Sequence, residues 1–373
     1  MRKSYRYRIY PTKSQRSTLE MNLELCRHVY NDTLALRKDA WENEKKSISI
    51  YETNSILVTW KVQRPELVQV YSQVLQNVQL RVDLALKTFS RRVKAGEGPG
   101  YPRFKGKGRY DSITYKQFGV EIINGKLHLA KIGDIKIKLH RPIEGRIKTC
   151  TVRRMPTGKW FACFSVEIED IPLPPWKDGS VVGVDVGLES FATLSNGEKI
   201  ANPRFFREEE KALAKAQSKR DKLPKGSILQ KKATKVAERI HERIANRRND
   251  FANQVSRQLV NRFGVIAFED LDIKNMLKNH NLAKSISDAA WNMLVKSTES
   301  KAAYAGSKVV LVDPRQTSQM CSRCGLIVKK DLSERVHCCP ECGLSIDRDI
   351  NAAINILRLG MQSLRKSDRS PVL

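Results

Sequence analysis

The sequence predicts an α+β protein with several domains, and three patterns lead to this prediction. Amphipathic helices follow a short N-terminal strand, short β segments fill residues 111–170, and apolar strands alternate with charged helices after that. The 373 residues suffice for two or three domains that each bury a core. Hydrophobic residues make up 40% of the chain, which excludes disorder of the whole protein.

The N-terminal part combines one strand with two predicted helices. Residues 4–10 alternate between aromatic or aliphatic and basic side chains, which predicts a strand that Pro11 ends. Apolar residues then recur at steps of three and four over residues 19–34 and again over 75–93. This spacing predicts two amphipathic helices.

Residues 87–110 are strongly basic and contain interleaved aromatic residues, with eight Lys or Arg against one acid. Nucleic-acid binding uses this composition, because cations contact phosphates while aromatic rings stack on bases. A solvated basic loop has the same composition, and the sequence leaves both interpretations open. The predicted nucleic-acid contacts in this segment are Arg91, Arg92, Lys94, Arg103, Phe104 and Lys105.

The middle of the chain predicts a small β-barrel followed by a linker. Turns at Asn124-Gly125 and Thr157-Gly158 separate short β segments, and Leu173-Pro174-Pro175 is typical of a linker. The predicted strands cover residues 112–115, 120–123, 127–129, 135–139, 147–153 and 160–168.

The C-terminal half begins with three predicted antiparallel strands, at residues 181–187, 191–195 and 198–200. Two highly charged helices follow within 207–262, and another apolar strand covers 264–268. In the second charged helix the residues predicted to face inward are Val236, Ile240, Ile244, Phe251, Val255 and Leu259.

Three acids occupy positions that suit catalysis by divalent metals. Asp185 lies in the first apolar strand, Glu269 follows the fourth, and Asp349 starts a late helix. This order is that of RNase H-like nucleases, in which converging carboxylates bind two ions that cleave a phosphodiester. Mg²⁺ is the expected ion, and Mn²⁺ suits the same oxygen ligands. We prefer Asp349 to Asp347 because we place it directly before the helix, with Asp347 further out in the loop.

Each acid taken alone has a plainer interpretation. Asp185 could be an acid in a turn, Glu269 a charge at a strand end, and Asp349 a helix N-cap. The three together, in the order strand, strand and helix, favour catalysis.

Five of the eight cysteines lie between positions 321 and 342. They include two Cys-x-x-Cys-Gly motifs, and each can present two sulfurs to one zinc ion while the glycine lets the backbone turn. The alternatives are a redox pair or spare thiols. His337 and Cys338 could each replace a ligand, although Cys339 alone keeps the two-residue spacing to Cys342. The predicted ligands of a structural zinc ion are Cys321, Cys324, Cys339 and Cys342.

The net charge of +28 indicates a polyanionic partner, and nucleic acid is the usual one. No apolar run reaches 18 residues, so we expect no membrane span. The first residues carry charge without an apolar region behind it, so we expect no secretory signal and a cytoplasmic protein.

Five motifs of the chain occur together in a fixed order. They are Gly183-Val184-Asp185-Val186-Gly187, Phe268-Glu269-Asp270-Leu271, Thr317-Ser318-Gln319 with Cys321 to Gly325, Cys339 to Gly343, and Asp347-Arg348-Asp349 with Asn351-Ala352-Ala353. Together they resemble the TnpB proteins of insertion sequences, which are small relatives of type V CRISPR effectors. The N-terminal half is similar as well, in its Tyr-rich strand, Leu75-Gln76 and the segment 99–104. The resemblance implies a nucleoid-associated protein of a prokaryote.

The resemblance implies a domain order that the predicted elements follow without adjustment. A β-barrel called the wedge carries an inserted helical recognition domain, and a RuvC nuclease domain carries an inserted zinc finger. The implied boundaries are 1–11 for the wedge strand, 12–110 for the recognition domain, 111–172 for the wedge barrel, 173–179 for the linker, 180–313 for the RuvC domain, 314–346 for the zinc finger, 347–365 for the last RuvC helix and 366–373 for the tail.

The implied function is RNA-guided cleavage of DNA. Asp185, Glu269 and Asp349 would be the RuvC triad, guide RNA and double-stranded target DNA would be the partners, and no small-molecule substrate is expected. The protein would read a short target-adjacent motif with its helical domain, where Tyr51 and Gln76 match best. The competing hypotheses are an RNA-guided DNA-binding regulator without cleavage, a transposase or transposition accessory protein, and a guide-free resolvase.

Overall fold

The computed structural model describes residues 2–116, 118–169, 180–331 and 334–367. They form two compact units that divide between Ile171 and Pro172. The predicted linker, 173–179, lies outside the described residues, as does the predicted tail from 368 onwards. Within the described part, no helix is both long and apolar enough to cross a membrane.

The helices of the first unit begin at well-formed N-caps. In the first helix, the Thr12 hydroxyl accepts from the Gln15 N–H, and the Gln15 side chain accepts from the Thr12 N–H. Ser49 and Glu52 form the same capping box before a helix that apolar spacing did not predict, because that helix buries only Thr53 and Leu57. The helices are α1 (Lys13–Glu44), α2 (Ile50–Gln63) and α3 (Ser72–Lys94), with a 3₁₀ turn at Pro65–Gln69.

A seven-stranded antiparallel sheet completes this unit, and its order is β2-β6-β7-β1-β5-β4-β3. The N-terminal strand lies inside the sheet, where its buried side chains pack in the core. All six predicted strands of the middle region are present. The strands are β1 (Arg2–Tyr10), β2 (Ser112–Tyr115), β3 (Val120–Ile123), β4 (Lys126–Leu129), β5 (Gly133–Lys138), β6 (Arg146–Arg154) and β7 (Trp160–Glu167).

The predicted small β-barrel is only half closed in the described residues, because no backbone pairing joins the edge strands β2 and β3. Tyr71, just before α3, stacks on Tyr115 of β2 with ring centroids 6.1 Å apart. The Tyr71 ring also lies within 2.4 Å of where a Cβ on Gly119, beside β3, would be. Tyr71 thus packs beside the end of β2 and the start of β3, and the sheet is a half-barrel.

The second unit contains a five-stranded sheet with the order β10-β9-β8-β11-β12. Strands β8, β9 and β10 are antiparallel, as predicted, whereas β8, β11 and β12 run parallel. The elements of this unit are β8 (Val181–Asp185), β9 (Ser190–Leu194), β10 (Lys199–Ala201), α4 (Phe205–Asp221), α5 (Ile228–Arg262), β11 (Val265–Glu269), α6 (Ile273–Met276), α7 (His280–Ala289), α8 (Trp291–Ala305), β12 (Lys308–Val312), β13 (Val336–Cys338), β14 (Ser345–Asp347) and α9 (Arg348–Ser367).

The inward face of α5 differs from the prediction at one position. Val236 is 46% exposed, whereas its neighbour Ala237 is buried. Ala237 packs with Ile240 and Ile244 against Leu213 of α4, so Ala237 takes the inward position that was predicted for Val236. The small alanine side chain suits a close contact between the two helices.

The central sheet of the second unit separates two sets of apolar side chains. Val182 and Val184 of β8 join a core with residues of α5 and α8. Ala267 of β11 faces the other way and packs with Ile356 of α9. Because side chains alternate along a strand, Gly183 and Asp185 share the α9 side with Ala267.

Helix α9 lies unusually close to β8. A Cβ on Gly183 would lie 2.0 Å from the Ala353 carbonyl oxygen and 2.7 Å from the Leu357 nitrogen. From the helix side, a Cβ on Gly360 would lie 2.7 Å from the Cβ of Ala267. Gly183 therefore permits the helix backbone to approach β8, and Gly360 permits it to approach β11. These contacts set the position of the start of α9.

We predict that Gly183→Ala destabilises the protein by about 1–3 kcal/mol, because the added methyl meets backbone atoms that cannot rotate away. The matched control is Gly98→Ala, whose Cβ would meet nothing within 4 Å. Thermal unfolding of both variants and the native chain checks this expectation. An unchanged melting temperature for Gly183→Ala would show that α9 does not pack this closely.

Candidate active site and metal centre

Register and alternation bring two of the predicted catalytic acids together. In the parallel pair β8–β11, Val184 lies opposite Phe268, so the next residues, Asp185 and Glu269, end neighbouring strands side by side. Both acids lie on the α9 side of the sheet, because side chains two residues apart on a strand share a face. Asp185 is two residues from Gly183 and Glu269 is two residues from Ala267, and both of these positions face α9. Glu269 is partly buried, and so is Asp185.

The third predicted acid, Asp349, lies in the first turn of α9, close enough to Asp185 to influence its pKa. It does not directly precede the helix, and that part of the prediction was wrong. Asp347 caps the helix instead, since its carboxylate accepts from the N–H groups of Asp349 and Ile350 at 3.0 and 3.2 Å. The second oxygen of Asp347 accepts from Lys199 at 2.7 Å. Asp347 thus has structural partners for both oxygens.

The three acids interact through their charges. Burial raises the pKa of Asp185 well above its ordinary value, and repulsion from Glu269 and Asp349 raises it further, against the attraction of Arg348. Burial also raises the pKa of Glu269, although a hydrogen bond from Thr317 partly opposes this. A bound cation would remove this repulsion.

The segment that enters the cysteine cluster is held against the acids. The Thr317 hydroxyl donates to a Glu269 oxygen, and the Thr317 carbonyl accepts from the Asn355 side chain at 2.9 Å. One turn earlier on α9, Asn351 accepts from the Ser322 N–H at 2.9 Å and donates to the Met320 carbonyl at 2.8 Å. Both asparagines are fully buried. They attach this segment to the helix that carries Asp349.

Thr317, Asn351 and Asn355 are the residues of the site to which the sequence analysis assigned no role. Thr317 and Asn351 stand inside the motifs that carried the resemblance. The available signal was the four-residue spacing of Asn351 and Asn355, which puts two amides on one face of an apolar helix.

The four predicted zinc ligands come together in the structure. The sulfur atoms of Cys321, Cys324, Cys339 and Cys342 all lie within 4.8 Å of one another. The Cys321–Cys342 and Cys324–Cys339 sulfurs are 3.6 and 3.5 Å apart. Thiolates about 2.3 Å from one tetrahedral ion would be separated by nearly this distance. Within the described residues, these four cysteines form a group of ligating side chains whose ligand atoms lie close enough together to hold an ion. Asp185, Glu269 and Asp349 do not form such a close group.

The two halves of the cysteine cluster repeat one backbone pattern. Gly325 N–H donates to the Cys321 carbonyl at 2.9 Å, and Gly343 N–H donates to the Cys339 carbonyl at 3.0 Å. Both glycines have a positive φ, which a side chain would disfavour. Burial opposes ionisation of Cys321, but N–H groups of Cys324 and Arg323 outweigh it and lower its pKa.

Neither alternative ligand belongs to the cluster. The Cys338 side chain is exposed, and its sulfur lies 3.6 Å from the Ser345 hydroxyl. His337 is fully buried on β13 but is not a member of the group of four. The sulfur geometry therefore favours Cys339 over both.

The predicted nucleic-acid contacts all lie in the first unit. Tyr51 on α2 is 80% exposed, and Gln76 on α3 is also exposed. Arg91, Arg92 and Lys94 lie exposed at the end of α3, where Arg92 pairs with Glu97 at 2.6 Å.

The remaining contacts lie beyond α3. Arg103 and Phe104 are exposed, whereas Lys105 is partly buried and attaches its segment to α1. The Lys105 carbonyl accepts from Arg27 and Asn31, and its N–H donates to the Asn31 side chain at 2.8 Å. Lys105 therefore has a structural role in addition to its charge.

Known proteins match the chain over most of its length. Residues 163–280 match a family model for a probable transposase, OrfB_IS605, and residues 291–356 match a Cas12f1-like TNB domain. A Streptomyces pristinaespiralis protein named "Putative RNA-guided DNA endonuclease" is 37% identical over 97% of this chain and 90% of its own length. "Putative RNA-guided DNA endonuclease InsQ" of Escherichia coli K12 is 30% identical over 96% of this chain and 92% of its own length. This chain belongs to the TnpB family.

Two further matches concern the fold. The structure of the mini-RNA-guided endonuclease CRISPR-Cas_phi3 covers 96% of this TnpB-family chain and 92% of its own, with 10% identity and a TM-score of 0.50. Residues 1–46 match a model called a helix-turn-helix domain. In this chain, residues 13–44 of that match form the single continuous helix α1 after strand β1.

The raised pKa of Asp185 leads to a prediction about stability. An acid with a higher pKa in the folded than in the unfolded chain binds more protons when folded, so stability falls as pH rises from about 3.8 to the raised pKa. We predict that Asp185→Asn, without added Mg²⁺, melts at a higher temperature than the native chain at pH 8. The difference should shrink steadily as the pH is lowered.

Asp347→Asn is the matched control with the opposite sign. Burial acts to raise the pKa of Asp347, but the hydrogen bond from Lys199 and the N–H of Ile350 outweigh it and lower the pKa. The charge of Asp347 therefore stabilises the fold, and its removal should lower the melting temperature at pH 8. Shifts of the same sign in both variants would contradict the electrostatic description of the site.

Proposed function

We propose that this TnpB-family protein is an RNA-guided DNA endonuclease of an insertion sequence that acts at the nucleoid in the cytoplasm. The observation that carries the proposal is the meeting of Asp185 and Glu269 at neighbouring strand ends, on the side where α9 supplies Asp349. Relatives that cover nearly the whole chain carry names with the same activity.

Asp185, Glu269 and Asp349 would hold Mg²⁺, for which carboxylate oxygens are the preferred ligands, and Mn²⁺ suits the same site. When bound, the ions supply an activated water and a positive charge at the leaving oxygen of a phosphodiester. The chain itself contributes orientation, since Thr317 fixes one oxygen of Glu269 and leaves the other available. Burial and the neighbouring acids raise the pKa of Asp185, so protons compete with a cation for this carboxylate more than they would at an ordinary aspartate.

The cysteine cluster would hold a structural Zn²⁺ ion. All four ligands come from the chain, so no position remains for water or substrate. Asn351 and Asn355 connect the segment at 317–322 with α9. A zinc ion that stabilises the cysteine cluster would therefore also help to hold α9, and with it Asp349, in position.

The remaining domain assignments follow the family pattern. The sheet formed by residues 1–11 and 111–172 would be the wedge, and 12–110 the recognition domain. Residues 180–313 and 347–365 would form the RuvC domain, with a zinc finger at 314–346. Guide RNA and target DNA would bind the exposed basic segments, which suits a chain of net charge +28.

We predict that the protein, purified with its co-expressed guide RNA, cuts matched duplex DNA in Mg²⁺. Asp185→Ala should reduce cleavage by more than about 100-fold. Removing a hydrogen-bonding partner of a metal ligand typically lowers activity by about 10- to 100-fold, and removing the ligand itself should cost more. Gel analysis of end-labelled duplex measures the rate, and a binding assay verifies that the variant still holds guide and target.

Asp270→Asn is the control for this experiment, since Asp270 adjoins Glu269 and is exposed. Cleavage should persist in this variant. Guided cutting by Asp185→Ala would overturn the assignment of the triad, and guided binding without cuts in the native protein would favour a regulator.

We also predict one Zn²⁺ per chain, measured by mass spectrometry of metals in the purified protein. Cys324→Ser should lose the ion and lower the melting temperature, because a tetrahedral site would lack one thiolate. Cys338→Ser should retain it, since that sulfur lies outside the group of four. Loss of zinc in Cys338→Ser alone would reassign the ligand.

A further inference from the structure

A cavity in the first unit has the size and lining of a binding site. It lies among the end of α1, the second half of α3 and the segment that contains Tyr101, and its volume is about 660 Å³. Ligand sites in proteins range from about 300 to 1,000 Å³, so one nucleotide fits. The cavity does not include any of the three acids or the four cysteines.

One side of the cavity is aromatic. Trp41 of α1 is 54% exposed, although its indole is among the most costly groups to leave in water. Phe89 and Tyr101 meet edge to face with centroids 5.2 Å apart, so each ring fixes the other. These rings offer flat apolar surface for a planar ligand.

The remainder of the lining is cationic. Lys87 lines the cavity, as does Arg37, and both pair with Asp83, at 2.9 and 2.8 Å, so one acid partly offsets their charge. Arg91 and Lys94 also line it, and neither side chain pairs with an acid within the described residues. No Asp or Glu is part of the lining. The cavity therefore suits a ligand that is both planar and anionic.

We propose that this cavity binds one unpaired nucleotide, with the base against Trp41 and Tyr101 and the phosphate at Arg91 and Lys94. A base inside a duplex has no free face, so the nucleotide must be bulged or single-stranded. The proposal rests on the proposed function for the presence of nucleic acid, and the guide RNA and the target DNA are its two sources. It adds a site that recognises an unpaired base rather than a duplex backbone.

The test compares hairpins of about ten base pairs with and without one bulged adenosine, made of RNA and of DNA. Each hairpin is closed by a polyethylene glycol linker, so that the unbulged partner contains no unpaired nucleotide. Full-length protein is freed of bound RNA in high salt, and affinity is measured by fluorescence anisotropy. Base stacking contributes about 1–3 kcal/mol, so a bulged hairpin should bind about tenfold more tightly than its unbulged partner. Preference among the RNA pair identifies guide RNA as the source, and preference among the DNA pair identifies the target.

Two variants locate the effect. Trp41→Ala with Tyr101→Ala removes the stacking surface, and Ser90→Phe fills the cavity from an exposed position on α3 while retaining every cation and aromatic ring. Both should abolish the preference for the bulge, and thermal melts verify that each variant folds. Lys107→Ala, an exposed cation outside the lining, should weaken both hairpins equally.

Equal affinity of the native protein for bulged and unbulged hairpins would overturn the proposal. A preference that survives in Ser90→Phe would also overturn it. These outcomes are separate from those of the guided-cleavage assay, because a protein that never cuts DNA could still prefer the bulge, and an active nuclease could lack the preference.

Discussion

The close contact between α9 and β8 at Gly183 is the constraint on which the candidate active site depends. The helix backbone approaches the strand so nearly that a single methyl group would collide with it. Only this approach places the first turn of α9, with Asp349, beside the strand ends that carry Asp185 and Glu269. The same helix carries Asn351 and Asn355, whose amides hold the segment leading into the cysteine cluster. One contact between a helix and a strand therefore aligns two sites of different chemistry.

The three acids are gathered at a cost to the folded state. Burial and mutual repulsion raise the pKa of Asp185, so the metal-free protein would be more stable without this charge. The neighbouring Asp347, whose charge stabilises the fold, has the opposite pKa shift. Asp347 receives two backbone N–H groups and a lysine, and its pKa is lowered. A group of buried acids that repel one another, with at least one raised pKa, is typical of a site that binds a ligand.

The two compact units differ in the chemistry they offer. The first unit presents exposed basic and aromatic side chains, together with a cavity that combines both, and none of its acids lines that cavity. The second unit concentrates acids and thiolates at two sites suited to metal ions. The net charge of +28 therefore coexists with a local cluster of acids in the second unit. Recognition of nucleic acid and hydrolysis of its backbone would occur on different units.

Local patterns in the sequence sufficed for strands β1 to β11, the longer helices and the four cysteines, but not for β12, β13 and β14. A buried strand, a turn glycine and a Cys-x-x-Cys spacing each depend on residues within a few positions of one another. Other features depended on contacts between distant segments, and only the tertiary structure decided them. Asp347 rather than Asp349 caps α9, because β14 positions its carboxylate at the helix end. The predicted small barrel is a half-barrel, because no backbone pairing joins its edge strands β2 and β3. Asn355 reaches Thr317 across 38 residues, and sequence spacing carries no information about which distant backbone a buried amide will meet.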